Sequence, residues 1–195
     1  MDLVRIATRI ARGGTWFHTT NKSLFKPVLK DGLVLGSNPE KWGGFAPGKG
    51  VYLVNSMEGA IRYMDFLELS CDDAMIVEIS PPGSLLMDED DVAGAGNFDE
   101  IGHPEEPFAK NYPEAYAEIK KLVESGMDPN LAKITAIEKF SLEPDNRLVD
   151  YGQGGLGALT GRFPGSIPAS NIKHIYFLDE DCEPFVAWPK ENSSA

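Results

Sequence analysis

Three residues of this chain could together hold a flat polar ring. They are His18 in Thr15-Trp16-Phe17-His18-Thr19-Thr20, Tyr52 in Gly48-Lys49-Gly50-Val51-Tyr52-Leu53, and Tyr63 one helix further on. Two tyrosines can sandwich a planar heterocycle, each stack contributing about 0.5–1.5 kcal/mol beyond the area it buries. A histidine beside them can share a hydrogen bond with a sugar hydroxyl, and the strand edge at His18, Thr19 and Thr20 can pair with a carboxamide. Taken singly, each has an ordinary reading: a histidine in an apolar strand is usually a hydrogen-bonded core group, the tyrosines core aromatics, and Gly48-Lys49-Gly50 a turn. The argument lies in their joint order and spacing.

The elements that must position them follow from periodicity. Thr15 to Thr20, β-branched and aromatic, reads as a strand with His18 on the face of Trp16 and Thr20. Lys22 to Lys30 reads as a short helix stopped by Asp31-Gly32, with Pro27 tolerated near its first turn. Gly36 to Gly50 is a Gly/Pro-broken loop carrying Trp42 and Phe45, long enough to suggest function. Gly50 to Val54 is the next strand. Asn55 then caps a helix with Glu58 reaching back, and Met57, Ile61, Met64 and Leu67 recur at helical spacing through Leu69.

Met75 to Ser80 alternates as a strand, ending at Pro81-Pro82-Gly83. Pro113 to Ser125 is a helix with Tyr116, Ile119 and Val123 on one face and Gly126 as its stop. Lys133 to Leu142 and Lys173 to Leu178 read as strands, with Arg147 to Tyr151 a further candidate. Helices are too few for regular βαβ alternation, so the fold class is α+β. Residues 1–14 form an N-terminal helix with Leu3, Ile6 and Ile10 on one face, residues 15–188 one domain, and residues 189–195 a frayed tail.

Composition sets the limits. The 195 residues, 42% hydrophobic, suit one domain burying roughly 70% of its unfolded surface. No apolar run approaches the roughly 20 residues of a membrane span, and no secretory pattern opens the chain, so a soluble, cytoplasmic protein without a membrane partner is expected. Cys71 and Cys182 stand in no CxxC or Cys/His cluster and are expected to be reduced and structural. The net charge of −12 opposes binding to a polyanion and favours a protein partner over RNA or DNA.

Much of that charge falls between Asp88 and Glu106, read as a solvated loop rather than a cation site. His103 lies in that loop and His174 in a strand, neither at metal-ligand spacing, and no metal is implied. Gly152 to Gly157 formally matches GxGxxG, but Gly161, Pro164 and Gly165 forbid the helix that a dinucleotide fingerprint needs.

The quoted segments resemble ADP-ribosyltransferases of the poly-ADP-ribose polymerase and diphtheria-toxin branch. Members carry a strand with His followed by Gly or Thr, a glycine-rich loop ending in Gly-Lys-Gly-hydrophobic-Tyr, and a helix with a second Tyr. Residues Thr15 to Tyr63 carry that likeness, including Phe45-Ala46-Pro47-Gly48-Lys49-Gly50-Val51-Tyr52-Leu53 and the connecting Val28-Leu29-Lys30-Asp31-Gly32-Leu33. The resemblance implies two packed, mainly antiparallel sheets with a few flanking helices. It also implies NAD as substrate, His18 on a ribose, Thr19 and Thr20 offering backbone contacts, and Tyr52 and Tyr63 clamping nicotinamide. ADP-ribose would pass to a macromolecular acceptor, as in a toxin or effector.

Breaking the nicotinamide–ribose bond expels a neutral heterocycle and leaves an oxocarbenium-like sugar, so the site must place electron density near the developing positive charge. Family members do this with a glutamate on a late strand, a few residues before an Ile/Val-Pro segment like Ile167-Pro168-Ala169-Ser170-Asn171-Ile172. Here the upstream residues are Thr160-Gly161-Arg162-Phe163-Pro164, with no carboxylate. Arg162 is either a phosphate contact, as arginines are in the RNA 2′-phosphotransferase branch, or an ion-pair residue. Glu138, on the expected strand Lys133 to Leu142, is a second source of the carboxylate. Three readings follow: the transferase, a catalytically inactive binding or structural module of the same fold, and a 2′-phosphotransferase, which the acidic charge opposes.

Overall fold

The computed structural model describes residues 14–35, 50–89, 107–145, 148 and 158–189. The expected N-terminal helix, the loop bearing Trp42, Phe45, Gly48 and Lys49, most of the acidic stretch with His103, nearly all of Arg147 to Tyr151, the Gly152 to Gly157 run and the tail after Pro189 lie outside them.

In chain order the elements are β1 (Trp16–Asn21), α1 (Phe25–Asp31), β2 (Val51–Val54), α2 (Met57–Phe66), β3 (Ala74–Ile79), α3 (Pro107–Asn111), α4 (Pro113–Glu124), α5 (Pro129–Phe140), β4 (Thr160–Phe163), β5 (Ile172–Leu178) and β6 (Pro184–Trp188). The strands form one antiparallel sheet in the order β4-β2-β1-β3-β5-β6. The α+β class stands, but among the described residues there is a single six-stranded sheet where two were expected. Leu33 and Ile167 pair only as an isolated bridge. Gly32, at φ 81°, and Pro168, which lacks an N–H, bound it and stop it growing into a ladder.

Both faces of the sheet are covered. Trp16, Leu53, Val77, Ile79 and Ile175 pack with Val28 of α1, while Val54, Ile76 and Leu178 pack with Ala60 and Met64 of α2. This explains why β3, Ala-Met-Ile-Val-Glu-Ile, is almost continuously apolar: it lies near the middle of the sheet with cover on both sides. Helices α3 to α5 form their own core around Phe108, Ile119, Ala132 and Ile137, joined by Met87 and Leu148.

Two local expectations are corrected. Lys133 to Leu142 is not a strand, and Glu138 sits on a helix. Asp128 accepts from Leu131 N at 3.0 Å and Pro129 occupies the first turn, the usual start of a helix. Because Ala132, Ile134, Ala136 and Ile137 are all buried, no 3.6-residue stripe shows in the sequence. The cap of α2 is Ser56, whose Oγ accepts from Gly59 N, and Asn55 instead holds Leu159 N at 2.9 Å.

Cys71 and Cys182 are joined in a disulfide rather than reduced, with Cα atoms 5.3 Å apart across 111 residues of sequence. Cys71 follows α2 and Cys182 lies in the β5–β6 turn. Pairing of β3 with β5 brings the two together, within the separation a disulfide needs, and no local motif announces it.

Candidate active site

The site begins where two strands part. β1 pairs with β3 along its whole length, from Trp16↔Ile79 to Asn21↔Ala74, whereas its ladder with β2 consists of Phe17↔Val54. Beyond that pair lies a narrow cleft of about 250 Å3, open mouth included, lined by Phe17, His18, Thr19, Tyr52, Leu53, Val54, Tyr63, Asp88 and Thr160. Of the residues expected from sequence, His18, Thr19, Tyr52 and Tyr63 therefore meet. Thr20, Arg162 and Glu138 are not among the lining residues.

His18 Nδ1 lies 2.9 Å from the Tyr52 carbonyl oxygen. A carbonyl only accepts, so Nδ1 carries the proton and Nε2 is left as an acceptor when the ring is neutral. Burial lowers the His18 pKa below its usual 6.5, partly opposed by that backbone bond, which keeps the ring neutral near pH 7. Such an imidazole can accept a hydrogen bond from a sugar hydroxyl through Nε2.

Thr19 is buried, and its Oγ1 donates to the Ala60 carbonyl at 2.6 Å. Its side chain thus fastens α2 to the sheet, which fixes the helix that carries Tyr63. The Tyr63 ring lies 5.8 Å from that of Phe66 at 46°, and it reaches the cleft from above β1 and β2.

The Tyr52 hydroxyl donates a short hydrogen bond to Glu89 Oε1. Burial first, then the charge and hydrogen bond of Glu89, push its pKa far above the usual 10, and the nearby Arg162 offsets this only in part. The phenol remains a donor throughout the physiological range. Glu89 Oε2 lies 3.9 Å from Arg162 Nε, and Arg162 Nη2 donates to Glu138 Oε1 at 3.2 Å. The Arg162 side chain is fully buried, while that of Glu138 is 39% exposed. Arg162 thus takes the ion-pair alternative, as a buried tie between β4, the segment after β3 and helix α5.

That tie explains the last glycine of Gly48-Lys49-Gly50. A Cβ on Gly50 would come within 2.4 Å of Arg162 Cγ and 2.5 Å of the Phe163 carbonyl oxygen. Only a residue without a side chain lets the arginine stem cross the start of β2.

Sequence reasoning missed Asp88, Glu89 and Thr160. The two carboxylates were assigned to a solvated loop, yet they are 1% and 6% exposed. The available signal was the apolar Leu85-Leu86-Met87 immediately before them. Leu86 exchanges both backbone hydrogen bonds with Arg162 at 2.8 Å, Met87 N donates to Leu142 O at 2.7 Å, and the chain enters the interior instead of leaving it. β4 also runs just before Ile167-Pro168, where the resemblance puts its third motif. It places Thr160 in the cleft and Arg162 opposite Tyr52. Among the described residues no cluster of three or more His, Cys, Asp or Glu could hold a metal, and no helix is long and apolar enough to cross a membrane. No family model and no curated protein matches the chain.

Proposed function

We propose that the protein is an NAD-dependent ADP-ribosyltransferase, moving ADP-ribose from NAD to a macromolecular acceptor and releasing nicotinamide. One observation carries the reading: His18, Tyr52 and Tyr63, drawn from three separate elements, line one cleft at a split between β1 and β2. In this reading the nicotinamide ring enters between the tyrosines, its carboxamide meets the backbone edge at His18 and Thr19, and His18 Nε2 accepts from a ribose hydroxyl. The cleft as it stands encloses about 10 Å3, room for about one water, so in this reading the Tyr52 and Tyr63 side chains part to admit the ring.

The C1′–N bond of the nicotinamide riboside breaks with its electron pair leaving on nicotinamide. The acceptor's nucleophile bonds to C1′ and gives up its proton. A protein acceptor fits the −12 charge better than a nucleic acid does. The Cys71–Cys182 bond favours an oxidising compartment over the reducing cytoplasm, in keeping with an effector that acts or matures outside its own cytoplasm.

The second reading, an inactive module of the same fold, is favoured by the absence of a carboxylate on β4. The 2′-phosphotransferase reading loses its main support because Arg162 is buried between carboxylates rather than offered to a phosphate. Nicotinamide release from labelled NAD, with and without His18→Ala, separates the first two. Release that requires His18, with label transferred to protein, supports the transferase. A folded wild-type chain that releases none leaves the module.

A further inference from the structure

We infer that β6 is the contact edge of a homodimer, in which two copies of the chain pair their β6 strands antiparallel about a two-fold axis through Val186 and join the two sheets into one. The inference is independent of the transferase reading. β6 ends the sheet, and no described segment pairs with its outer edge. The opposite edge is closed, because Leu86 exchanges both backbone hydrogen bonds with Arg162 of β4 at 2.8 Å. An open strand edge is a template for another strand, and edges that must stay single are often blunted by charge. β6 carries none. It reads Pro-Phe-Val-Ala-Trp, with Phe185 49% and Val186 40% exposed.

Backbone direction and side-chain size set the register. Asp179 N donates to Glu183 O at 3.1 Å, so the Glu183 backbone faces β5. By strand alternation the Phe185 backbone faces β5 as well, and Val186 turns its N–H and C=O outward. Two copies paired at Val186 satisfy these groups with each other. Pro184 withholds one N–H from the outer edge, which centres the ladder on Val186. The same register sets Phe185 opposite the partner's Ala187. The Phe185 ring stands edge-on to Phe177 with centroids 6.2 Å apart, and Phe177 packs on Phe25 at 5.2 Å. A small residue across the axis leaves room for that row of rings, while on the other face Val186 meets its own copy in a β-branched pair.

Charge selects a second copy as the occupant. The β5–β6 turn exposes Glu180, Asp181 and Glu183, while Lys173, also exposed, lies at the opposite end of the same hairpin. Antiparallel self-pairing lays the acidic turn of each copy beside the Lys173 end of the other, so the complementary contact is made twice. Parallel pairing would bring the two acidic turns together and is opposed. The contact is isologous and uses up the open edge of both chains, so assembly stops at two. A strand of five residues makes a small interface, and a dimer with a Kd on the order of micromolar is expected.

The test is sedimentation velocity of the oxidised chain from about 1 to about 200 µM at physiological salt. The mass should rise with concentration from 21.3 kDa toward twice that value. Val186→Lys and Val186→Glu each place like charges opposite one another at the axis and should weaken dimerisation at least about tenfold, with thermal melting as the check on folding. Mixing the two variants should restore the dimer, since a lysine then faces a glutamate. A chain that stays monomeric throughout overturns the inference, whether or not the edge accepts some other strand. A dimer that either folded variant leaves unchanged, or that mixing does not restore, overturns it too. If one of the two does not fold, Phe185→Ala decides: loss of the ring seated on the partner's Ala187 should weaken the dimer at least about fivefold, and an unchanged dimer overturns the inference.

Discussion

The hydroxyl of Tyr52 donates to Glu89, a residue that the sequence sets in the chain's most acidic run and the fold leaves only 6% exposed. Charge this far inside is retained only when paired, and here the partners are the phenol on one side and the buried Arg162 on the other. The pair links a cleft-lining ring to the tie that fastens β4 and α5 together, so the cleft wall and the stability of the fold share these residues.

Tyr52→Phe removes the donor and leaves Glu89 with a buried acceptor less well satisfied. The expected cost is about 1–3 kcal/mol in denaturant unfolding. In a Glu89→Gln background the same substitution should cost less, since the carboxylate it served is gone. Strict additivity across the four proteins would show that the two side chains do not interact in solution.

The Cys71–Cys182 bond closes a loop of 111 residues, and cross-links of this span typically stabilise by roughly 2–4 kcal/mol. Reduction should therefore lower the Tm of the wild-type chain by on the order of 5–15 °C, given the usual sensitivity for a domain of this size. Cys71→Ser should melt at that lower temperature whether or not reductant is present. A wild-type Tm that ignores reductant would mean that the thiols are not joined.

Alternation and capping rendered much of the sheet legible beforehand. Trp16–Asn21, Val51–Val54, Ala74–Ile79 and Ile172–Leu178 were found within a residue or two, as was α4, because each shows one clear period between strong stops, while α1 begins three residues later than expected, after a 3-10 turn at Lys22–Leu24. What escaped had no period to show. α5 is buried nearly all round, β4 is four residues long with Gly161 inside it, and β6 begins at Pro184 with Phe185 and Val186 exposed. At the site, His18, Tyr52 and Tyr63 were legible because their chemistry is written in residue type. Asp88 and Glu89 were not, since burial of a charge depends on a partner such as Arg162 that lies far along the chain and becomes a neighbour only through strand pairing.

Gly50→Ala should be among the costlier glycine substitutions, by about 1–3 kcal/mol, since its methyl group would collide with the Arg162 stem and a backbone oxygen. Gly83 is the control. A Cβ there meets only Phe163 Cε2, at an ordinary 3.6 Å, so Gly83→Ala should be neutral or slightly stabilising. Equal effects of the two in urea melts would rule out the crossing of Arg162 over Gly50 as the reason for that glycine.

His18 should make the protein acid-sensitive in a defined direction. Burial, more than the opposing bond to Tyr52, lowers its pKa below 6.5, so the unfolded chain takes up a proton at a pH where the folded ring is still neutral. The stabilisation is fully present above pH 6.5 and is lost as the pH falls from there toward the folded value, at no more than one proton's worth, about 1.4 kcal/mol per pH unit. Comparing urea midpoints at pH 7.5 and 5.5 for wild type and His18→Asn isolates this contribution, because His103 and His174 are common to both. Wild type should lose more stability than the variant, and the reverse order would mean a ring that is charged in the fold.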